Sequence, residues 1–271
     1  MFAMLFMRSF PDRTALPIKR ERFICRPNLP QGKVNCLLIG EKYAPELENP
    51  LNNEGVEVIR IPDNLNVDSK LSGHADLSVI HAGENKLILQ KRIYIENPDF
   101  VDRLVAEGFR VIKTENEQGR EYPFDAGLNV CAAGDFMFFN PDYTDPVVFR
   151  SMTGCKNITV RQAYAKCSVC VIASGVIISS DPGIISAAEK HSVHFLRITP
   201  GHISLPGFNS GFIGGSSFLL SENLIAFTGN LNNHPDGHKI EEFLVERNMK
   251  PIYLTKRPLF DIGGAILLKE E

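Results

Sequence analysis

A seven-residue pattern of alternating polar and apolar residues occurs five times in this chain, and it constrains the fold more than any other feature. In the first copy, residues 74–80, His74, Asp76 and Ser78 alternate with apolar residues. The other copies begin 39 to 51 residues apart, at Asp125, Tyr164, Phe212 and Asp261. A period of two predicts a strand with one polar and one apolar face.

The same order of elements follows each of the first four copies. In the first unit, a second apolar run covers 86–89, a helical stretch covers 98–108 and a third strand covers 110–114. The helical stretches begin at proline, aspartate or histidine and end at glycine, serine or asparagine. Most of these residue types are common at the corresponding ends of helices. The sequence therefore predicts repeated ββαβ units.

The fifth copy ends the chain with only its first strand. Its missing parts lie near the other terminus, with strands at Val34–Gly40 and 56–61 and a helix at Ala44–Asn53. Units that cannot bury an apolar face alone, and must not leave open sheet edges, close into a ring. We predict an α/β fold, a five-bladed propeller whose last blade is shared by both termini. Residues 34–271 form this single domain, and residues 1–33 are expected to be an N-terminal extension outside the ring.

Composition excludes several classes of protein. The chain is 44% hydrophobic, which is enough for a sizeable core, and its net charge of −3 with no long basic run argues against a nucleic-acid surface. We find no stretch of 18 uncharged apolar residues, so no membrane span is expected. Residues 1–7 are apolar but lack the features of a secretory signal. Six cysteines, about 2% of the chain, favour a reducing cytoplasm over a disulfide scaffold.

Polar side chains of the five copies should meet along the axis of such a ring. His74 and Asp76 are candidates for catalytic proton transfer, although they could also line a polar channel without turnover. Asp125 and Asp261, together with Asp76, would suit a cationic ligand. Lys166 is a further candidate for ligand binding, or it neutralises these carboxylates structurally.

A second group of candidates lies deeper in the ring or in a loop. Asn129 and Ser168 are predicted to hydrogen-bond a ligand, and a water-filled channel is the alternative. His202 lies in a loop of 13 residues, 199–211, that is rich in glycine, proline and serine. Loops of this length are often functional. We predict that His202 reaches over the mouth of the channel as a third catalytic residue, and an ordinary loop histidine is the alternative.

Cys167 and Cys170 form a C-x-x-C sequence. Residues three apart on a strand face opposite sides, so this pair should not share a metal, and we expect neither a metal nor a cofactor. Cys167 is assigned to the apolar face as core. Cys170 is the candidate for a relocated nucleophile, although apolar burial raises the pKa of a thiol.

Five ββαβ units with a shared last blade resemble the pentein superfamily, over roughly residues 34–271. The supporting segments are 163–170, 200–207, 211–215 and 261–264, and the closest resemblance is to a bacterial branch of guanidino-modifying-enzyme-fold proteins. The resemblance implies chemistry on arginine-like substrates. In that chemistry a cysteine thiolate attacks the guanidinium carbon, a histidine acts as acid and base, and carboxylates hold the cation.

The chain departs from this pattern at two places. The resemblance implies a nucleophilic cysteine in the last blade and a histidine at the start of the fourth, but these positions are Ala265 and Phe212. The usual covalent mechanism is therefore not available in its usual geometry. We predict a polar central pocket for a small cationic, guanidino- or amidine-like molecule, with C–N bond hydrolysis as the reaction class. The alternative is a non-enzymatic pentein that uses its rim as an interaction surface, like the ribosome-binding members.

Overall fold

The computed structural model describes residues 21–271, which form five small sheets arranged as a ring. Four sheets have three strands each, and the fifth has four. This arrangement confirms the predicted five-bladed α/β-propeller. We number the blades one to five in the order of the five sequence copies, and we call the end of the ring where the copies begin the mouth.

Sixteen strands build the sheets of residues 21–271. In chain order they are β1 (Arg22–Phe23), β2 (Val34–Gly40), β3 (Glu57–Ile61), β4 (Val79–His81), β5 (Lys86–Leu89), β6 (Arg110–Lys113), β7 (Cys131–Ala133), β8 (Phe136–Phe139), β9 (Lys156–Thr159), β10 (Cys170–Ala173), β11 (Val176–Ser179), β12 (His194–Arg197), β13 (Ser217–Ser221), β14 (Leu224–Phe227), β15 (Lys250–Tyr253) and β16 (Ile266–Glu270).

The described helices are short and mostly connect the second and third strands of a blade. They are α1 (Ala44–Asn53), α2 (Lys91–Glu96), α3 (Pro98–Ala106), α4 (Pro146–Ser151), α5 (Ala165–Ser168), α6 (Pro182–Lys190) and α7 (Gly237–Val245). Helix α2 was not predicted. None of the helices within residues 21–271 has the length and apolar character needed to traverse a bilayer.

Every blade repeats one pairing scheme. In blade one, β4 pairs antiparallel with β5, and β5 pairs parallel with β6 across the crossover that contains α3. Local signals place the crossover helices: Asp181 accepts a hydrogen bond of 2.8 Å from Ile184 N at the start of α6, and Pro182 occupies its first turn. Apolar residues at the blade junctions, such as Ile88 with Met137 and Phe138 with Ile177, build a core between neighbouring blades.

The last blade contains both ends of the described chain, as predicted. Strand β16 pairs antiparallel with β2, and β2 pairs parallel with β3. Residues 22–33 correct the predicted boundary, because they belong to the ring rather than lying outside it. Strand β1 pairs with β16 as the fourth strand of blade five. Residues 1–20 of the predicted extension lie outside the described part of the chain.

Residues 25–31 cross the end of the ring opposite the mouth, which we call the far end. The backbone N–H of Glu84, in blade one, donates to the carbonyl of Ile24, which comes just before this segment. Asn28 Nδ2 donates to the carbonyl of Ala132, in blade two, at 3.0 Å. Leu29 lies in a groove with residues of the β10–β11 and β13–β14 hairpins. The segment therefore contacts four blades and closes the far end of the axis.

The first residues of each sequence copy form turns, which corrects the predicted strand alternation. Residues Ala75–Leu77 and Gly214–Ser216 are single 3-10 turns, and Ala165–Ser168 is the short helix α5. The inner strands begin only at the sixth or seventh residue of each copy. Because side chains in a helical turn do not alternate between two faces, the assignment of Cys167 to an apolar face was wrong.

Candidate active site

Four chemically active side chains from three blades meet in the middle of the ring. Cys167 Sγ, from blade three, lies 2.7 Å from Asp76 Oδ2 of blade one and donates a hydrogen bond to it. A nitrogen of His74, the sulfur of Cys167 and a carboxylate oxygen of Asp261 in blade five lie within 4.8 Å of one another. All four side chains are buried. We call His74, Asp76, Cys167 and Asp261 the axial cluster.

Asn129 of blade two holds the turn that presents Cys167. Its Oδ1 accepts hydrogen bonds from the backbone N–H groups of Lys166 and Cys167, at 2.8 and 3.2 Å. These are early N–H groups of α5, which need acceptors from outside the helix. Its Nδ2 donates to Cys167 Sγ at 3.3 Å. Asn129, predicted to bind ligand, is therefore placed to position the thiol.

Blade five brings Asp261 to His74 through a turn that requires glycine. Asp261 accepts hydrogen bonds of 2.8 Å from the backbone N–H groups of Phe212 and Gly263. Gly263 has a φ of 72°, and a Cβ there would lie 2.8 Å from the His74 Cα. A Cβ at Gly215 would overlap the Asp261 carboxylate. The glycines of the fourth and fifth copies thus permit the close approach of blades at the axis.

Burial shifts the protonation equilibria of the cluster. Burial raises the pKa of Asp76 to about 7, and the charge of Lys166 and the hydrogen bond from Cys167 oppose this rise. Burial, together with the charges of Asp76 and Asp261, raises the pKa of Cys167 well above its usual value. Burial also lowers the pKa of His74. The resting cluster therefore contains a thiol that donates to Asp76 and a neutral imidazole.

Lys166 supplies a buried positive charge that acts on Asp76. Its side chain is 6% exposed, and its Nζ lies 3.5 Å from Gly214 O. Its charge is the largest influence that lowers the pKa of Asp76. This arrangement favours the interpretation in which Lys166 neutralises a buried carboxylate over direct ligand binding.

Two polar atoms of the cluster have no hydrogen-bond partner among residues 21–271. They are His74 Nε2 and Asp76 Oδ1, and both are buried. Buried polar atoms in folded proteins are nearly always hydrogen-bonded to protein or water, so each such atom calls for an explanation. One explanation is that these two atoms form hydrogen bonds with a bound ligand.

Asp125 and Ser168 are buried but stand apart from the cluster. Asp125 Oδ2 accepts a hydrogen bond of 2.6 Å from the Tyr164 hydroxyl, and burial raises the pKa of this carboxyl to about 6. Ser168 accepts a hydrogen bond from Ser179 through its backbone carbonyl, and its hydroxyl has no partner within the described residues. Of the three predicted acidic residues, only Asp76 and Asp261 lie together.

His202 does not reach the axis, contrary to the prediction. It is exposed, has a φ of 63°, and its ring lies 5.8 Å from the ring of His234. The next residues turn inward, because Ser204 N donates to Leu259 O at 2.8 Å, and Leu205 lies beside the cluster. The loop 199–211 therefore places Leu205 beside the cluster, and not His202.

Cys170, the predicted nucleophile, lies in the apolar core on strand β10. Burial raises the pKa of its thiol to about 11. Within residues 21–271 it forms no hydrogen bond with the axial cluster, whereas Cys167 donates one to Asp76. The sequence carried no local signal for this role of Cys167, because Asn129, which holds its turn, lies 37 residues before Lys166 in the chain.

The open space at the axis is small. One cavity of about 20 Å³ lies on the mouth side, where Leu71, Leu205, Phe212 and Tyr164 surround His74, Cys167 and Asp261. A second cavity of about 20 Å³ lies on the far side, next to Asp76, Lys166 and Asn28. Each volume is sufficient for a water molecule and too small for an amino acid.

The ring and its polar axis define the pentein fold, and comparison with solved structures agrees. An inosamine-phosphate amidinotransferase from Streptomyces griseus has a TM-score of 0.55 and 9% identity, covering 91% of this chain and 97% of its own. SxtG, an amidinotransferase of the saxitoxin pathway from Microseira wollei, has a TM-score of 0.53 and 12% identity, covering 88% and 96%. A DDAH mutant from Pseudomonas aeruginosa, complexed with citrulline, has a TM-score of 0.50 and 10% identity, covering 87% and 99%.

At these identities the likeness establishes the fold alone. Within this fold, the chain belongs to a family described as "Family of unknown function (DUF6873)", which it matches over residues 38–266. No curated protein sequence matches the chain. The predicted resemblance to a pentein branch without an assigned activity is therefore confirmed.

Proposed function

We propose that this protein hydrolyses a C–N bond of a small cationic compound with a guanidino or amidine group, and that Cys167 is the nucleophile. The observation that carries the proposal is the pair of Cys167 Sγ and Asp76 Oδ2 at 2.7 Å, beside a second buried carboxylate and an imidazole with a free nitrogen. Two of the solved structures that share this fold are named as amidinotransferases.

Charge balance favours a monovalent cation as the ligand. When both are ionised, Asp76 and Asp261 place two negative charges in a buried region, and Lys166 supplies one positive charge. Buried charges are stable only when they are paired. A guanidinium or amidinium group adds the missing positive charge, and its fork of N–H donors matches a carboxylate.

The axial cluster contains the groups that this hydrolysis needs. The Cys167 thiol gives its proton to Asp76 as its sulfur attacks the central carbon of the ligand, and the C–N bond breaks as the departing nitrogen takes that proton. A water molecule then gives a proton to His74 and adds to the same carbon. The C–S bond breaks, the hydroxyl proton of the adduct restores the thiol, His74 releases its proton to solvent, and a urea- or amide-type product leaves.

Ligand entry requires that the mouth open. The side chains of Leu71, Leu205 and Phe212 surround the cavity above the cluster, and Leu205 belongs to the loop 199–211. Gly201 and Gly207 in this loop have positive φ values of 90° and 87°. Loop displacement is a common way for an enzyme to admit a substrate and then exclude water.

Turnover with matched cysteine variants tests the proposal. The protein is incubated with arginine, agmatine, guanidinoacetate and acetamidine, and the release of ammonia, amine or urea-type product is measured. We expect activity in the wild type, a loss of at least about 100-fold in Cys167→Ser, and activity near wild type in Cys170→Ser. Equal activity in wild type and Cys167→Ser would show that Cys167 is not the nucleophile.

A non-enzymatic interaction function is supported by a different observation. Four large apolar side chains are exposed on three loops that lead into sequence copies at the mouth: Leu65 at 77%, Tyr122 at 51%, Phe124 at 66% and Phe208 at 43%. Together with the small axial cavities, they would suit a protein or ribosomal contact. Co-sedimentation with ribosomes, for wild type and a Phe124→Ser/Phe208→Ser variant, tests this alternative, and only variant-sensitive binding would support it.

The proposed enzyme acts in the reducing cytoplasm on a small molecule. All six cysteines are free thiols, including the exposed Cys25. A free exposed cysteine and a thiol nucleophile both persist best where disulfides are reduced.

A further inference from the structure

Three members of the axial cluster also form a set of metal-ligand type. His74, Cys167 and Asp261 each offer one ligand atom, the three atoms lie within 4.8 Å of one another, and all three residues are buried. We propose that these side chains bind a divalent transition-metal ion, with Zn²⁺ as the best fit. This proposal departs from our expectation from sequence of no metal, which considered only Cys167 with Cys170 on one strand.

The distances suit a small tetrahedral ion. Zinc bonds to sulfur, nitrogen and oxygen are about 2.0–2.3 Å long, which places the ligand atoms of a tetrahedron roughly 3.3–3.8 Å apart. Ligand atoms within 4.8 Å of one another therefore close on the ion by movements of about 1 Å. A water molecule in the adjoining cavity of about 20 Å³ would complete four ligands.

The unpartnered imidazole nitrogen provides independent support. His74 is 3% exposed, and its Nε2 has no hydrogen-bond partner within residues 21–271. A neutral imidazole with a free nitrogen is a good ligand for zinc. Asp261 is already oriented by backbone N–H groups of Phe212 and Gly263, and such outer hydrogen bonds are typical of carboxylates that bind metals.

The donor set selects the kind of ion. Calcium and magnesium prefer sites made of oxygen atoms alone, whereas a thiolate and an imidazole favour zinc and similar transition metals. Zn²⁺ bound to one thiolate and one carboxylate is neutral overall. The ion displaces the thiol proton that Cys167 donates to Asp76, this proton leaves to solvent, and the charge of Lys166 balances the Asp76 carboxylate, so the buried centre carries no net charge.

The inference does not rest on the proposed reaction, because metal binding is measured without any substrate. The two occupants would compete, since a metal-bound Cys167 sulfur cannot attack a carbon atom at the same time. If the protein binds metal but hydrolyses nothing, the metal site holds and the proposed reaction fails. If it hydrolyses a substrate but binds no metal, the proposed reaction holds and the metal site fails.

Cobalt absorption spectroscopy provides the direct test. Co²⁺ is added to untagged full-length protein in a Cys25→Ser background, because Cys25 is exposed and would bind cobalt by itself. We expect one equivalent of Co²⁺ to give thiolate-to-cobalt charge transfer in the near ultraviolet and tetrahedral d–d bands. Added Zn²⁺ should remove both. A further Cys167→Ser change should abolish the charge-transfer band, whereas Cys170→Ser, which changes a nearby buried thiol, should retain it.

Two further measurements keep the test independent of folding defects. Circular dichroism establishes that each variant is folded, and Asp261→Asn and His74→Gln should each weaken Co²⁺ binding at least about 10-fold while the thiol is retained. Zn²⁺ should raise the melting temperature of the wild type and of Cys170→Ser, and not that of Cys167→Ser. No cobalt spectrum in the folded Cys25→Ser protein, or the same spectrum after the further Cys167→Ser change in a folded protein, would overturn the proposal.

Discussion

The far end of the ring and the axial cluster in its middle differ in how their buried carboxylates are hydrogen-bonded. At the far end, Glu270 is 1% exposed and accepts hydrogen bonds from Gln31 N, Gly32 N and Arg22 Nε at 2.6, 2.9 and 2.9 Å. In the axial cluster, Asp76 is equally buried, but one of its oxygens has no partner within residues 21–271. A buried carboxylate with complete hydrogen bonding stabilises the fold, whereas one with an open oxygen is available to a ligand.

The way each end is closed differs too. Residues 25–31 close the far end through backbone and side-chain hydrogen bonds to the hairpins of the blades. The mouth is closed above the cluster by apolar side chains from loops, among them Leu71 and Leu205. Apolar contacts have no fixed direction, so these side chains can move apart and close again more readily than a hydrogen-bonded seal, although backbone hydrogen bonds anchor the loop at Ser204. The following predictions test this difference.

Glu270→Ala should have the largest effect on stability. It removes an acceptor of two backbone N–H groups and the partner of Arg22, and it should lower the free energy of unfolding by about 3–5 kcal/mol, as measured by urea denaturation. Asp76→Asn, the matched change in the cluster, should lower it less than Glu270→Ala does, because burial raises the pKa of Asp76 to about 7 and so reduces the charge that the substitution removes. Equal losses in the two variants would contradict a structural role for Glu270 and a ligand-binding role for Asp76.

The pH dependence of stability should report Asp125, a buried carboxylate that accepts a hydrogen bond from Tyr164 through Oδ2 and, like Asp76, has no partner for Oδ1 within residues 21–271. Its folded pKa of about 6 exceeds the unfolded value, so the folded state holds a proton that the unfolded state releases. The free energy of unfolding should fall as pH rises from about 4 to about 6, and this contribution of up to about 3 kcal/mol should vanish in Asp125→Asn.

Tyr164→Phe provides the companion variant for this measurement. The Tyr164 hydroxyl lowers the pKa of Asp125 by donating to it, so its removal should extend the fall in stability to higher pH. Urea denaturation between pH 4 and 8 measures both effects. A pH profile unchanged by either substitution would show that Asp125 is not the group that titrates.

Leu205→Ala should affect access more than stability. The residue is 7% exposed in a loop, so truncation should cost about 2 kcal/mol, at the lower end for buried leucines. By enlarging the cavity above the cluster, it should speed ligand binding, measured by stopped-flow mixing with agmatine. Ile203→Ala, in the same loop but outside the cavity lining, is the control. Slower binding in Leu205→Ala would mean that this side chain is part of the binding surface and not a cover.

Substitutions on the exposed rim should have the smallest effect. Phe124 is 66% exposed, so Phe124→Ser should change the free energy of unfolding by no more than about 0.5 kcal/mol and leave turnover unchanged. Thermal melting and the ammonia assay measure both. A large loss of activity in this variant would show that this exposed rim is part of the active site.

The ring could be predicted from sequence because its signal is repeated. The sequence pattern occurs five times, and the first four copies are followed by the same order of elements, so each blade supports the assignment of the others. Strands such as Lys86–Leu89 and Arg110–Lys113 lie where their apolar runs predict them. The pairing of β16 with β2 followed from the incomplete fifth copy. Strand β1 has only two residues and was missed, because so short a strand has no period to detect.

The site was harder to predict because tertiary contacts decide it. Helix α5 depends on Asn129, which lies 37 residues before Lys166 in the chain and accepts its backbone N–H. Nothing within residues 164–170 reveals that partner, so alternation assigned Cys167 to the core and Cys170 to the axis. His74, Asp76 and Asp261 were predicted as site residues, and the structure brings them together even though their local conformation differs from a strand.

The central claim is that the axial cluster is a site for a cationic group. Differential scanning fluorimetry with arginine and agmatine, each compared with citrulline, whose side chain is uncharged, tests it most directly in wild type, Asp76→Asn and Asp261→Asn. We predict that at least one cation raises the melting temperature of the wild type by several degrees when it is present well above its dissociation constant. Citrulline should have little effect, and the shift should vanish in both variants. Equal shifts with citrulline and the cations, or shifts retained in both variants, would contradict the account.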